Sequence, residues 1–277
     1  MPASIEMMDE IVHNNNRKKK VVVLGGDVAA GYFVKEFVEA GRGAEVCIIT
    51  HEPELPYEHS TLSKDFLWKE NPARLPSFLV PLSAGAADAG GVVQTAEWYE
   101  ENGVEVITST KIAKVDAVKK TLSTLSGTCI EYDRLVIATG CSAPHFPEGR
   151  DSYGKLLTGV FNFCNHADAT QLYQFMEDSW NSAKVAHSNP CNAVVVGGDS
   201  VALELAASLA AWGFPVHMIV PDQHLMSDLW PKELADLYEA ELRARGVTLH
   251  AGARVAKVVE GEPGHAAGVQ LAYTQTE

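Results

Sequence analysis

Long apolar runs are missing: no stretch approaches the roughly 18 residues a membrane-spanning helix needs, so nothing in the chain reads as a bilayer span. Positive charge is scarce. Lys and Arg number 22 against 36 Asp and Glu, giving a net charge of −14, which argues against nucleic acid or an anionic membrane surface as the main partner. The five cysteines (Cys47, Cys129, Cys141, Cys164 and Cys191) show no C-x-x-C or C-x-x-x-x-C spacing. Such scatter fits a reducing compartment, and it excludes chemistry that passes electrons through a close cysteine pair. The ten histidines form no H-E-x-x-H or paired ligand spacing, so no metal is expected. Residues 1–20 lack the apolar core of a signal peptide, carry Glu6, Asp9 and Glu10, and end in Arg17-Lys18-Lys19-Lys20. The expectation there is a flexible N-terminal tail. The final Thr274-Gln275-Thr276-Glu277 is no peroxisomal address, and the default location is cytoplasmic, with the chloroplast as alternative.

What is present is ordinary in bulk and specific in pattern. With 277 residues, 46% of them apolar and 21% charged, the chain suits a globular protein of two domains. Val21-Val22-Val23-Leu24-Gly25-Gly26-Asp27-Val28-Ala29-Ala30 and Ala193-Val194-Val195-Val196-Gly197-Gly198-Asp199-Ser200-Val201-Ala202 are near copies. Each is a β-branched apolar run that stops at a glycine pair and restarts as a helix, the context a G-x-G-x-x-G fingerprint needs. There the first glycine makes the turn, the second admits a pyrophosphate, and a small third residue packs helix on strand, while the phosphates rest on free amides of the new helix. Two copies imply two dinucleotides. Both carry aspartate, Asp27 and Asp199, in the middle slot. A carboxylate about 4 Å from a phosphate repels it by up to about 4 kcal/mol at an effective dielectric near 20, so weakened binding is expected.

The pattern around these turns predicts strands over 21–24 and 46–50, a helix over 28–40, and an acid, Glu52, about 20 residues beyond the first turn, where it would accept from an adenosine ribose. Residues 53–95 read as loop-rich, with a mobile small-residue stretch over 83–91. A short helix near 97–101 leads to a strand over 104–107. Alternation then predicts a β-meander over 111–115, 121–125 and 129–132, and a separate buried strand over 135–140. The second half predicts a helix over 167–179, a polar linker over 181–192, a helix ending near Trp212 and a strand over 215–220. Asp222 then repeats the position of Glu52. A helix over 231–245 is expected to turn Leu234, Leu237, Tyr238 and Leu242 inward, ahead of strands over 247–250, 254–259 and 269–273.

Between the two turns lie Pro56-Tyr57-Glu58, Leu62-Ser63-Lys64, Ala73-Arg74-Leu75-Pro76, Glu97-Trp98-Tyr99, Ser109-Thr110-Lys111-Ile112 and Ala138-Thr139-Gly140. Six such pieces in this order resemble plant and algal monodehydroascorbate reductases, FAD- and NAD(P)-dependent pyridine nucleotide oxidoreductases. The resemblance implies an α/β fold of two Rossmann-like dinucleotide-binding domains with three-layer ββα architecture, the family's C-terminal interface domain being absent. It would give residues 1–20 as the tail, 21–160 as an incomplete FAD-binding domain and 161–277 as the NAD-binding domain inserted in it, itself open to truncation. By the same resemblance a hydride passes from NADH to FAD, and the flavin reduces two monodehydroascorbate radicals to ascorbate, one electron each.

Residue by residue, Gly25, Gly26, Asp27, Val28, Ala29 and Ala30 would lie along the FAD diphosphate, with Glu52 at its ribose, His59 beside it and Ile112 on the adenine side. Lys64 would be the catalytic residue near the flavin ring. Gly197, Gly198, Asp199, Ser200, Val201, Ala202, Leu203 and Glu204 would line the NAD site. Asp222 would contact its ribose and repel a 2′-phosphate, favouring NADH over NADPH. Where the family has arginines this chain has His59, Cys164 and Asp228, each the loss of a cation. The readings left open are a catalytically impaired remnant that binds nucleotide weakly and a related flavin reductase with another acceptor, such as a ferredoxin.

Overall fold

The computed structural model describes residues 19–68, 79–80, 92–142 and 146–273. The expected N-terminal tail, the motif Ala73-Arg74-Leu75-Pro76 and the expected mobile stretch over 83–91 lie outside the described residues. The chain divides into two compact units, Met1–His59 with Ser77–Cys141, and Ser60–Pro76 with Ser142–Glu277. This geometric division at 141/142 differs from the expected change of nucleotide domain at 160/161 and groups the segment bearing Lys64 with the second unit.

In the first unit β1 (Lys19–Leu24), α1 (Val28–Glu39) and β2 (Val46–Ile49) form a β-α-β crossover. A short antiparallel pair, β3 (Leu79–Val80) and β4 (Val92–Val93), precedes α2 (Ala96–Glu101), which Thr95 caps by accepting from the Trp98 amide. Then come β5 (Glu105–Ile107), β6 (Ile112–Asp116), β7 (Thr121–Thr124) and β8 (Cys129–Ile137), and the sheet order is β5-β2-β1-β8-β7-β6. β1 is parallel to both β2 and β8, whereas β6, β7 and β8 run antiparallel.

The period-2 alternation of β1 divides the core in two. Val23 points with Val46 and Ile48 toward α1, against Ala30 and Val34 and against Tyr99 and Val104. Val22 and Leu24 point the other way, with Cys47 and Ile49, onto Leu122 and Tyr132 of the meander. Helix, parallel sheet and meander are therefore three layers, and a stretch buried on both faces has to be apolar throughout, as residues 21–24 of β1 are. The strand expected over 135–140 and the meander strand over 129–132 are one element. Asp133 and Arg134 read as an interruption, but both side chains are exposed and β8 runs through them, pairing first with β7 and then with β1.

The second unit opens with α3 (His166–Ala186), capped by Asn165 Oδ1 accepting from the Asp168 amide. The first half of the expected polar linker, through Ala186, is helix: Ala169, Met176 and Ala183 recur every seven residues on the buried face of α3, and Asn181 and Ser182 lie on the exposed one. β9 (Ala193–Val196), α4 (Ser200–Ala211), β10 (Val216–Val220), α5 (Lys232–Ala244) and β11 (Val247–Ala251) form a three-stranded parallel sheet with its crossovers, in the order β11-β10-β9. β12 (Ala253–Glu260) and β13 (Ala266–Tyr273) follow as an antiparallel hairpin. The inward face expected for α5 is rotated: Ala235, Glu239 and Leu242 are buried, while Leu237 and Tyr238 are exposed. Glu239 is satisfied on the buried face, its carboxylate accepting from the Leu225 amide at 3.2 Å and from Arg243 Nη2 at 2.9 Å.

Candidate functional site

The first glycine turn is closed by backbone. Gly25 has φ +128°, and a Cβ there would lie 1.9 Å from the Ala138 carbonyl oxygen, so only glycine fits. Its amide donates to the Ile49 carbonyl at 2.9 Å. At Gly26 a Cβ would approach Thr50 Oγ1 to 2.8 Å. Asp27 is the N-cap of α1, where a short acceptor satisfies one of the amides a helix start leaves unpaired. Its backbone carbonyl accepts from Ala30 and Gly31, and its Oδ1 accepts from the Val28 amide at 2.6 Å. Val28 and Ala29 form the first turn, and Ala30 is buried against the sheet.

Asp27 also has a partner 32 residues away. His59 Nδ1 lies 2.9 Å from Asp27 Oδ1; the ring N–H is not aimed along that line, so the contact is an ion pair rather than an aligned hydrogen bond. On the other side of the ring His59 Nε2 lies 3.3 Å from Glu52 Oε1, and the Tyr57 hydroxyl donates to Glu52 Oε2 at 2.6 Å. Tyr57 and His59 stack, with ring centroids 4.1 Å apart and planes 18° from parallel. Burial opposes charge on this imidazole, but the pull of the Asp27 and Glu52 carboxylates outweighs it and raises the pKa to about 9. Burial likewise pushes both carboxyls upward, and contact with His59, helped by the Val28 amide at Asp27 and the Tyr57 hydroxyl at Glu52, leaves each below its ordinary value. The chain just ahead of Ile112 is tied to the same loop, with the Ser109 amide donating to Glu52 O and the Thr110 amide to Thr50 O, both at 2.9 Å.

The second turn repeats the backbone without that cluster. Gly197 has φ +141°, and a Cβ at Gly198 would meet Val220 Cγ1 at 2.8 Å. Asp199 caps α4 through Oδ1, which accepts from the Ala202 amide at 2.8 Å, while its carbonyl accepts from Leu203 at 3.1 Å. Ser200 and Val201 are exposed on the first turn of the helix. One turn further along, Glu204 Oε2 accepts from the Ser63 hydroxyl at 2.6 Å and Oε1 stands 3.5 Å from Lys64 Nζ, which also donates to the Ser60 carbonyl at 3.2 Å. Trp212 Nε1 donates to Leu67 O at 2.7 Å, pinning the Lys64 segment to α4. Asp222 is exposed after β10, its carbonyl taking the Gly252 amide at 2.8 Å. Asp228 is exposed beyond it, and Cys164 donates its amide to Asp168 Oδ2 at 3.0 Å.

The structure thus gathers Gly25 to Ala30 with Glu52 and His59 in one unit, and Gly197 to Glu204 with Lys64 in the other. Among the described residues no group of three or more His, Cys, Asp and Glu is placed to hold a metal ion. Sequence reasoning missed that both aspartates are helix caps, although Asp immediately before an apolar helix is itself a cap signal. It also missed the Asp27–His59–Glu52 cluster, for which no local spacing rule exists.

Two parallel β-α-β units entered through glycine turns define a class, and a family comparison agrees. Residues 19–276 match the pyridine nucleotide-disulphide oxidoreductase family, and the chain belongs to it. Within that class it is similar to the chloroplastic/mitochondrial monodehydroascorbate reductase of Arabidopsis thaliana, 36% identical over 256 residues covering 91% of this chain and 48% of the relative. It is also 35% identical to the cytosolic monodehydroascorbate reductase 4 of Oryza sativa subsp. japonica, covering 83% of this chain and 49% of that one. The chain spans about half the length of the curated relatives it matches. In fold it resembles a ferredoxin reductase from Rhodopseudomonas palustris, with a TM-score of 0.71 and 22% identity over 92% of this chain and 55% of the other. The disulphide of the family's name has no counterpart in cysteine spacing here.

Proposed function

We propose that this chain holds FAD at the β1–α1 turn and NADH at the β9–α4 turn, and that it serves electron transfer from NADH to the monodehydroascorbate radical, regenerating ascorbate. The observation that carries the reading is the duplicated turn: each strand ends at a glycine whose space is closed by neighbouring atoms, each helix starts at that point, and each following strand leads into a loop that carries an acid, Glu52 or Asp222. The residues present fit a dinucleotide. Gly25 and Gly26 keep the approach to α1 free of side chains, the anion at Asp27 is met by His59, and Glu52 is oriented by Tyr57 with lone pairs left for a ribose hydroxyl. In this reading residues 21–160 serve FAD and 161–277 serve NADH.

When bound, FAD supplies acceptance of a hydride and its release as single electrons. The chain's own residues bind and bias. Asp222 accepts from the NADH ribose and disfavours a 2′-phosphate. Lys64, its ammonium held by Glu204 and the Ser60 carbonyl, is the catalytic assignment: a fixed cation stabilises negative charge gained on reduction. The substrate is a small molecule, and no helix among the described residues is long and apolar enough to cross a membrane. The compartment in this reading is the cytosol, with the chloroplast as alternative, both represented among the relatives.

The test is spectroscopic. The purified chain incubated with FAD should retain flavin absorbance after desalting, NADH should bleach it under nitrogen, and monodehydroascorbate radical should restore it faster than a ferredoxin does. Retained flavin that only the ferredoxin reoxidises would replace the acceptor. No retained flavin would remove the reading. Lys64→Gln is expected to keep the flavin and slow the NADH-dependent bleaching about 100-fold, the scale of losing one preorganised electrostatic group.

A further inference from the structure

The middle slot of the first turn holds an anion where a phosphate is to lie, and the same slot in the second turn holds another. Only the first is tied to a cation. His59 sits between Asp27 Oδ1, at 2.9 Å, and Glu52 Oε1, at 3.3 Å, stacked on Tyr57, whose hydroxyl takes the other Glu52 oxygen. Its effect on Asp27 is visible in the backbone. At the second turn the aspartate side chain accepts from the amide three residues on, Ala202; at the first the equivalent Ala30 amide goes to the Asp27 carbonyl instead. The Asp27 side chain has turned to the adjacent Val28 amide and to His59.

We propose that His59 is a built-in counter-cation: in its protonated form it clamps Asp27 and Glu52 together, cancels the charge of Asp27 at the β1–α1 turn and thereby admits an anionic dinucleotide, whose binding is coupled to that proton. The inference rests on the assignment of FAD to this turn. The charged and titratable groups around the imidazole are Asp27 at the start of α1, Glu52 in the loop after β2, and Tyr57 in its own loop, with His51 acting on Glu52. Loss of the proton leaves Asp27 and Glu52 as two uncompensated carboxylates facing the diphosphate and its ribose. The pKa near 9 keeps the clamp charged at neutral pH and places its release in mildly alkaline solution.

The experiment measures FAD affinity of the full chain from pH 7 to pH 10, beside His59→Gln and Asp27→Asn, with the His59 imidazole followed by NMR in the unaltered and Asp27→Asn chains. The unaltered chain is expected to lose about tenfold or more in affinity across this range, the scale of one charge-assisted contact. His59→Gln should bind that weakly already at pH 7 and show no further loss through pH 9. Asp27→Asn, which keeps a capping side chain but no charge, should bind at pH 10 at least as tightly as the unaltered chain at pH 7. Equal, pH-independent binding in the unaltered and His59→Gln chains overturns the proposal. If neither the unaltered chain nor Asp27→Asn binds FAD, the assignment of FAD fails and the coupling fails with it. NMR then separates the two failures: an imidazole that titrates near 9 and falls in Asp27→Asn shows the clamp without its ligand, whereas titration in the ordinary range shows that the clamp itself is absent.

Discussion

The two glycine turns share Gly-Gly-Asp after an apolar run and end in different electrostatic states. Both run Val-Gly-Gly-Asp or its near equivalent, both place Asp at the helix N-cap, and both glycines are held by neighbouring atoms. At the second turn Asp199 does what a capping aspartate does in isolation and accepts from the amide three residues on. At the first, His59, brought in by a loop, draws the same side chain aside and charges it into a cluster with Glu52 and Tyr57. Local sequence fixes a cap; a residue 32 positions away decides what the cap is used for.

Breaking the comparison at the backbone gives the largest expected effect. Gly25→Ala drives a methyl to 1.9 Å from the Ala138 carbonyl at φ +128°, whereas Gly197→Ala at φ +141° meets only Ala202 Cβ at 3.1 Å. Urea unfolding followed by far-UV circular dichroism should show a loss above about 3 kcal/mol for Gly25→Ala, beyond the roughly 1–3 kcal/mol of backbone strain that both share. A smaller loss at Gly25 than at Gly197 would refute the closed-turn description.

Asp27→Ala and Asp199→Ala each remove a cap, worth about 1 kcal/mol. The first also leaves the half-buried imidazolium with one carboxylate fewer, so its loss should exceed that of Asp199→Ala by about 1–2 kcal/mol in thermal melts at pH 7. Matching melting shifts would mean that His59 contributes nothing.

Titration sharpens the same contrast. A raised His59 pKa contributes stability that is fully present below the ordinary imidazole value of about 6.5 and fades as pH climbs through about 9. Because the ring keeps part of its surface in water, the contribution is on the order of 1–2 kcal/mol. Asp27 and Glu52, held low, contribute stability above the usual carboxylate range that disappears as pH falls through their depressed values. Melting temperature against pH should therefore decline between pH 7 and pH 10 in the unaltered chain, and His59→Gln should flatten that limb. The smallest effect is expected from Asp199→Asn, under about 0.5 kcal/mol, since asparagine caps as well as aspartate.

Much of this architecture was legible as pattern. The apolar runs with their glycine stops placed β1, α1, β9 and α4, and alternation placed the meander, because each depends on residues close in sequence. What escaped depends on partners far away. Asp133 and Arg134 read as a break because charge was weighed without the face it occupies; the helical residues from Asn181 to Ala186 read as linker because only Ala183 carries the buried stripe there. On α5, Glu239 rather than Leu237 is buried, where its carboxylate accepts from the Leu225 amide, a partner that lies 14 residues away. At the turns, Asp27 and Asp199 were read as obstacles to phosphate rather than as caps, and the His59 partnership leaves no trace in spacing.

β8 belongs to two layers at once: its first residues pair with β7 in the meander, and its last with β1, next to the glycine turn. A strand shared in this way makes the meander and the parallel layer a single cooperative unit, because fraying either one strips partners from the other. Amide protons of Leu122 and Val22 should then exchange through one common opening, and a destabilising change in the meander should be felt at a helix start on the far side of the sheet.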